Sequence, residues 1–253
     1  MQYQSLERAL HILLAFETQN RELGTAELSN SLGIHRSTVN RILKVLAAYE
    51  FLEQTPQTKK YSLGQANIRL ASSLKQSLRT NMVQIAKPYV DDLRDRVEET
   101  SMIETLAGRN WVMAYVAEAP GRIRLIAEIG ERMPIHIASG GKAFLAFSSP
   151  EVRARLLGRE LARYTKNTIT DLKKLERHFV GIRRQGFAFD KGEYEEGFHA
   201  VGSPVLDYQN RPVASVSIAG PPQRITGASN SFIVSALKET ARKISSRLGC
   251  KGS

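Results

Sequence analysis

The sequence predicts an α+β protein in two parts: an all-α, winged helix-turn-helix domain, then a helical linker and a larger domain on a mainly antiparallel sheet. Up to Glu99, apolar residues recur at three- and four-residue intervals, the period of an amphipathic helix. Beyond Glu99, short β-prone runs are separated by turns containing Gly, Pro or Asn. Strands joined by turns and mixed with helices favour an antiparallel α+β architecture.

Composition fits two ordinary domains and excludes several protein classes. The 253 residues include one cysteine, Cys250, so neither a disulfide framework nor a CxxC metal site can form. No apolar run approaches the roughly 18 residues of a membrane span, and we expect a soluble, cytoplasmic protein. The formal charge of +11 favours polyanionic partners. It supports DNA binding only weakly, because residues 1–75 hold nine Lys and Arg against six Asp and Glu, which is +3.

The segment Ser5–Phe16 predicts the first helix. Ser5 is a good N-cap residue, and one stripe follows it, formed by Leu6, Leu10, Leu13 and Leu14. We expect this stripe to pack beneath the two helices that come next.

The segment Gly24–Leu52 predicts a helix-turn-helix. Apolar residues lie at helical spacing on both sides of Gly33, and the face of the second helix opposite its apolar stripe carries hydrogen-bond donors and no carboxylate before Glu50. Such a face suits phosphates and base edges. The run Lys59–Gly64 then predicts the basic returning strand of a hairpin, which in this place is a wing. The alternative is an ordinary bundle helix with a solvated cationic face.

The DNA-binding prediction covers ten residues. Ser37 and Thr38 lie in the first turn, where hydroxyl groups can bind phosphate beside the helix terminus. Arg36 and Asn40 are expected to contact bases, and Lys59 and Lys60 to contact the backbone or the adjacent minor groove. The predicted residues are Thr25, His35, Arg36, Ser37, Thr38, Asn40, Arg41, Lys44, Lys59 and Lys60.

The helical pattern from Gln65 to Val97 tolerates Pro88 and predicts a connector that can transmit a rotation, with a plain packing helix as the alternative. Beyond it the predicted strands are Thr100–Leu106, Trp111–Glu118, Ile123–Glu128, Phe187–Glu193, Val201–Leu206 and Pro212–Gly220. The predicted helices are Ser139–Phe147, Glu151–Leu157, one from Thr170-Asp171 to about Gln185, and one from about Ser231 to Leu248.

Four blocks in the C-terminal half carry a family resemblance: residues 133–143, Asp190–Gly197, Ser203-Pro204-Val205 and residues 215–221. These blocks follow the winged helix-turn-helix in an order and at a spacing that resemble the IclR family of bacterial transcriptional regulators. The resemblance implies a DNA-binding domain over residues 1–64, a helical linker over 65–80 and a GAF-like effector-binding domain over 81–253. It also implies a homodimer or a pair of dimers on double-stranded operator DNA, a small organic acid or aromatic effector, and no catalysis.

The resemblance also points to an effector pocket. The residues carried over by position are Leu125, Ser139, Gly140, Asp190 and Ser217, together with two departures from the family pattern. Ala200 stands where many members have cysteine, and Arg122 stands where an apolar residue is usual. A cavity with fewer internal donors and the guanidinium of Arg122 at its rim would suit a larger, partly apolar carboxylate. Backbone N–H groups of Ser139-Gly140-Gly141 at a helix start could bind that carboxylate. Asp190 either accepts from a ligand hydroxyl or is a strand-end turn residue.

Enzyme signatures are missing from the sequence: it contains no GxSxG elbow and no HExxH motif. We therefore expect no catalytic residue, no metal and no cofactor. His199 follows Glu193, Glu195 and Glu196, so a metal site there competes with a solvated acidic loop. The rival class is a metabolite-binding protein or enzyme with a nonspecific basic nucleic-acid-binding module.

Overall fold

The structure is a computed structural model that describes residues 4–16, 21–108, 110–158, 160–226 and 231–251, with the backbone alone at 71–81. The chain divides into two compact units, Met1–Thr80 and Asn81–Ser253. Each unit has its own secondary structure and its own buried core. None of the described helices is long and apolar enough to cross a membrane.

The first unit is a winged helix-turn-helix. Its elements are α1 (Gln4–Ala15), α2 (Thr25–Leu32), α3 (Arg36–Ala48), β1 (Leu52–Gln54), β2 (Tyr61–Leu63) and the start of α4 (Gln65–Val97). The strands pair antiparallel, with Leu52 opposite Leu63 and Gln54 opposite Tyr61. Leu23 adds a bridge on the other side of β2, through two 2.9 Å backbone hydrogen bonds with Tyr61. The wing, residues 52–63, is thus attached to the segment that precedes α2.

The core of this unit corrects the prediction for the first helix. Ile12 of α1 and Phe16, which follows the helix, are buried against residues of α2 and α3. Leu6, Leu10 and Leu14 are 58, 50 and 61 % exposed, so the predicted stripe faces solvent apart from Leu13. The helix carries two apolar stripes, and the one that contains Ile12 lies against the core, with Phe16 just beyond its end.

The segment predicted as a connector is one helix, α4. The backbone of α4 continues through Pro88, although a proline inside a helix removes one N–H donor. It runs for 33 residues, across the division between the two units.

The second unit is built on a six-stranded antiparallel sheet in the order β5-β4-β3-β8-β7-β6. The strands are β3 (Thr100–Ala107), β4 (Asn110–Ala117), β5 (Arg132–Met133), β6 (Ala188–Asp190), β7 (His199–Leu206) and β8 (Pro212–Gly220). The helices are α5 (Ser139–Phe147), α6 (Pro150–Leu157), α7 (Leu172–Gln185) and α8 (Ser231–Arg247). α5 packs on β7 and β8 and is covered by α7, and α8 also contacts β7 and β8. The predicted α+β fold class is confirmed.

Local capping explains where several helices begin. The hydroxyl of Ser149 accepts from the backbone N–H of Val152, and Pro150 lies in the first turn of α6. The carboxylate of Asp171 accepts from the N–H of Lys174 at 2.6 Å and begins α7. These caps confirm the predicted starts of both helices.

Two predicted strands differ from the structure. Residues 123–128 are an irregular segment and not a strand, because β5 occupies the edge of β4, with Met133 opposite Trp111. The strand predicted over Phe187–Glu193 shortens to β6. It ends where the carboxylate of Asp190 accepts from the N–H of Glu193 at 2.7 Å and turns the chain.

Candidate DNA-binding face and effector cavity

The turn before α3 is held by side chains of its own. Gly33 ends α2 with φ +64°, a left-handed conformation that glycine adopts without strain. The hydroxyl of Ser29 donates to the carbonyl of Ile34 at 2.8 Å. Nδ1 of His35 accepts from the N–H of Ser37 at 3.4 Å, so this imidazole caps α3. The start of α3 is therefore fixed relative to α2.

The outer face of α3 is a surface of donors. Val39, Ile42 and Leu43 are buried in the core of the unit, while the opposite side is open to solvent. Thr38 is half-buried in the first turn, and Thr25 is half-buried at the start of α2. The exposed predicted residues of this face are His35, Arg36, Ser37, Asn40, Arg41 and Lys44.

The two wing lysines differ in their surroundings. Lys59 is exposed at the tip of the wing, where its N–H donates to the carbonyl of Thr55 at 2.9 Å. Lys60 is half-buried, and its ammonium lies 3.5 Å from the carboxylate of Glu27. Glu27 also accepts from the N–H of Gly24 at 2.7 Å, at the start of α2. Lys59 therefore has the freer ammonium group for a phosphate.

The second unit contains a cavity of about 60 Å³ at the start of α5. Five of the predicted effector residues line it: Leu125, Ser139, Asp190, Ala200 and Ser217. Gly140 lies in the wall behind them, where an added Cβ would overlap the carboxyl group of Glu104. Arg122 does not line the cavity and lies exposed on the segment after β4, so the structure does not support a guanidinium at its rim. The other lining residues are Met102, Glu104, Met113, Met133, Ala138, Tyr194, Glu195, Phe198, His199 and Ala219.

Glu104 is the most deeply buried acid of this cavity. It lies in β3 with 2 % of its surface exposed, and Oε2 accepts from the hydroxyl of Ser217 at 2.8 Å. Burial raises the pKa of Glu104 to about 7, against the opposing effects of Ser217 and the indole N–H of Trp111. That N–H faces the carboxyl group but forms no hydrogen bond of acceptable geometry. Ser215, two residues before Ser217, instead donates to the carbonyl of Gly140 at 2.8 Å.

Asp190 is the strand-end turn residue that the sequence offered as one alternative, and its side chain also lies at the cavity. It lines the cavity, and it turns the chain through its bond to the N–H of Glu193. Burial raises the pKa of Asp190, opposed mainly by the positive charge of Lys142. The side chain is therefore anchored at one oxygen.

A buried ion pair supports this wall of the cavity. Lys142 of α5 has no exposed surface, and its ammonium donates to the carbonyl of Phe189 at 3.0 Å and to Oε1 of Glu193. Among the described residues, no hydrogen bond of good geometry reaches Oε2 of Glu193. Burial raises the pKa of Glu193, and Lys142 opposes this. The pair connects α5 to the turn after β6.

Sequence reasoning missed Glu104 and Lys142. Glu104 is the one charged residue in residues 100–106, which otherwise have the pattern of a buried strand, and Lys142 is the one in residues 138–147, which otherwise have that of a buried helix. A lone charge in an apolar run is a signal of a buried, paired side chain. The metal hypothesis for His199 gains no support. Nδ1 of His199 lies 2.9 Å from the carbonyl of Ile225, and Glu193 is paired with Lys142. No three His, Cys, Asp or Glu side chains in the described part of the chain form a group suited to a metal.

Two family models match the chain. Residues 5–56 match the IclR helix-turn-helix domain, and residues 75–246 match the bacterial transcriptional regulator IclR C-terminal domain. The chain belongs to the IclR family.

IclR-family relatives match over nearly the whole length. The HTH-type transcriptional regulator XynR of Escherichia coli is 30 % identical over 249 residues, 97 % of each chain. The crystal structure of Pseudomonas aeruginosa HmgR matches with a TM-score of 0.80 and 25 % identity, over 99 % of this chain and 100 % of that one. An IclR homologue of Microbacterium hydrocarbonoxydans, solved with 4-hydroxybenzoate, shares the fold at 24 % identity and a TM-score of 0.61, over 97 % and 99 % of the two chains. This chain is an IclR-type transcriptional regulator with an effector-binding C-terminal domain.

Proposed function

We propose that the protein acts in the cytoplasm without catalytic activity and that its α3 enters the major groove of a double-stranded operator. The observation that carries this proposal is the exposed donor face of α3, fixed by the turn before it and accompanied by a wing. Gel-shift titration of genomic fragments upstream of the native gene tests it. Selective retardation is expected, whereas uniform, salt-sensitive binding would favour the rival class of metabolite-binding protein or enzyme with a nonspecific basic module.

Arg36→Ala and Lys59→Ala are expected to weaken DNA binding in different ways. An arginine bonded to a guanine edge contributes about 1 to 3 kcal/mol at its own base pair, so Arg36→Ala should relax specificity there. Lys59→Ala should weaken operator and scrambled DNA alike and lower the salt slope by about one, because a phosphate contact carries no sequence information. Fluorescence anisotropy at several salt concentrations measures both. Lys166→Ala, in the second unit, is the control, and identical behaviour of the two test variants would refute these assignments.

We also propose that the protein is a homodimer, with a dimer of dimers as the higher state, and that α1 supplies part of the interface. Leu6, Leu10 and Leu14 form an exposed stripe at helical spacing, which a second copy of the chain can cover symmetrically. The double variant Leu10→Glu/Leu14→Glu is expected to dissociate more readily and to bind the operator more weakly. Analytical ultracentrifugation and anisotropy measure this, with the exposed Val180→Glu as the control. An unchanged mass and operator affinity would refute this interface.

The regulatory part of the proposal is an organic acid in the cavity. The 4-hydroxybenzoate in the structure of the Microbacterium homologue supports an organic acid as the ligand and can serve as a probe in binding experiments. We propose residues 65–80 as the linker and 81–253 as the effector-binding domain, which agrees with the division of the chain at Thr80. Control requires the ligand to prefer one arrangement of the DNA-binding domains. If an organic acid binds but leaves both operator affinity and transcription unchanged, effector control of this protein is refuted.

A further inference from the structure

The charges around the cavity raise a difficulty for an organic acid. Three carboxyl groups line it, from Glu104, Asp190 and Glu195, with one imidazole from His199. The lining residues that the structure describes include no Lys and no Arg. A carboxylate that enters would lie beside buried acids, where low polarity strengthens repulsion between like charges.

The position suited to an anion is already occupied. The helix start of α5 presents backbone N–H groups, and the carboxyl group of Glu104 lies directly against Gly140 there, bonded to Ser217. A ligand carboxylate directed to this helix start therefore meets Glu104 before it reaches the backbone. Two ionised carboxylates cannot form a hydrogen bond with each other, whereas a carboxylic acid can donate one to a carboxylate.

We propose that Glu104 binds the effector's carboxylate as a neutral carboxylic acid, so that binding of an organic acid takes up one proton from the solvent. This inference rests on the proposed effector class. The proton stays on Glu104 and is shared in the hydrogen bond, and no covalent bond between heavy atoms changes. Glu104 thereby selects ligands by their carboxylate group and makes the affinity depend on pH.

Burial and the nearby carboxyl group of Asp190 favour the neutral form of Glu104, whereas its hydrogen-bond donors favour the carboxylate. Ser217 of β8 donates to it, β4 presents the indole N–H of Trp111, and α5 presents the backbone of Gly140. Its charged neighbours around the cavity are Asp190, Glu195 and His199. The one cation that α5 adds, Lys142, is bonded to Glu193. The carboxyl group of Asp190 therefore adds to burial in disfavouring a negative charge at Glu104.

The expected pH dependence follows from the pKa of about 7. Below that pH, Glu104 is mostly protonated and affinity should be nearly constant. Above it, each binding event must take up a proton from the solvent, and affinity should fall by about tenfold between pH 6 and pH 8.

Isothermal titration calorimetry of the full chain tests this inference with butyrate, benzoate and 4-hydroxybenzoate. At pH 8, two buffers of different ionisation enthalpy should reveal uptake approaching one proton per ligand. Glu104→Gln keeps a hydrogen-bond donor, the amide N–H, in the same place. The variant should therefore still bind the acids but lose both the proton uptake and the tenfold change in affinity between pH 6 and pH 8. Glu196→Gln, at an exposed acid that does not line the cavity, should keep both, and the neutral benzyl alcohol should bind without proton uptake.

Three outcomes would overturn the inference. One is binding of an acid to the native chain at pH 8 without proton uptake, and another is a pH dependence that persists in Glu104→Gln. The third is failure of all three acids to bind at pH 6. The first two leave the organic acid effector in place, the third removes it as well, and the operator assay is independent of all three.

Discussion

Lys142→Met is expected to lower the free energy of unfolding of the second unit by about 3 to 5 kcal/mol, the cost of removing one partner of a buried ion pair. Methionine fills much of the same volume but donates no hydrogen bond. Glu193 would then be buried with no cation beside it, and the carbonyl of Phe189 would lose its donor. Urea denaturation of the full chain, followed by circular dichroism, measures the change.

Lys166→Met is the matched control for this variant. Lys166 is 77 % exposed and lies 3.6 Å from the carboxylate of Glu196, so the loss should stay within about 1 kcal/mol. The double variant Lys142→Met/Glu193→Leu should recover much of the stability, because no unpaired charge remains buried. A loss for Lys142→Met as small as that for Lys166→Met would show that the buried pair is unimportant.

Gly202→Ala is expected to destabilise the second unit by about 1 to 3 kcal/mol through overpacking. A Cβ at Gly202 of β7 would lie 2.5 Å from the nitrogen of Gly140 and 2.6 Å from the carbonyl carbon of Ser139. Both obstacles are backbone, so α5 itself must shift away from the sheet. Since Ser139 lines the cavity, weaker binding of 4-hydroxybenzoate should accompany the loss of stability.

Gly181→Ala provides the comparison for this prediction. Gly181 lies inside α7, and an added Cβ there meets nothing within 4 Å. Alanine should be neutral or stabilise the helix by about 1 kcal/mol, because glycine is the poorer helix former. If thermal denaturation shows Gly202→Ala to be as stable as Gly181→Ala, the close contact between α5 and β7 has no energetic importance.

The sequence was sufficient for elements that depend on local spacing. The helix Ser139–Phe147 and the strand Pro212–Gly220 have the predicted bounds, because periodicity and turn residues act over a few positions. The orientation of α1 was predicted wrongly because two apolar stripes share one short helix. Which stripe meets the core depends on α2 and α3 and not on the helix alone.

The interior of the cavity depends on contacts between distant residues. Ser217 bonds to Glu104 across 113 positions, and Lys142 bonds to Glu193 across 51. No local pattern pairs these side chains, so the sequence indicated a pocket at the start of α5 without its acidic lining. Five of the seven residues proposed for the effector lie at the cavity, whereas Arg122 and Gly140 do not line it.

The attachment of the wing constrains how any ligand can act on DNA binding. β2 is bonded to Leu23 on one side and to β1 on the other, and Glu27, in the first turn of α2, contacts both Lys60 and the N–H of Gly24. The span between α3 and the wing tip is therefore fixed within one copy. In the proposed homodimer, an effector then acts on how the two copies are spaced along the duplex. Lengthening the distance between operator half-sites should therefore alter the response to the effector more than changing a base within either half-site.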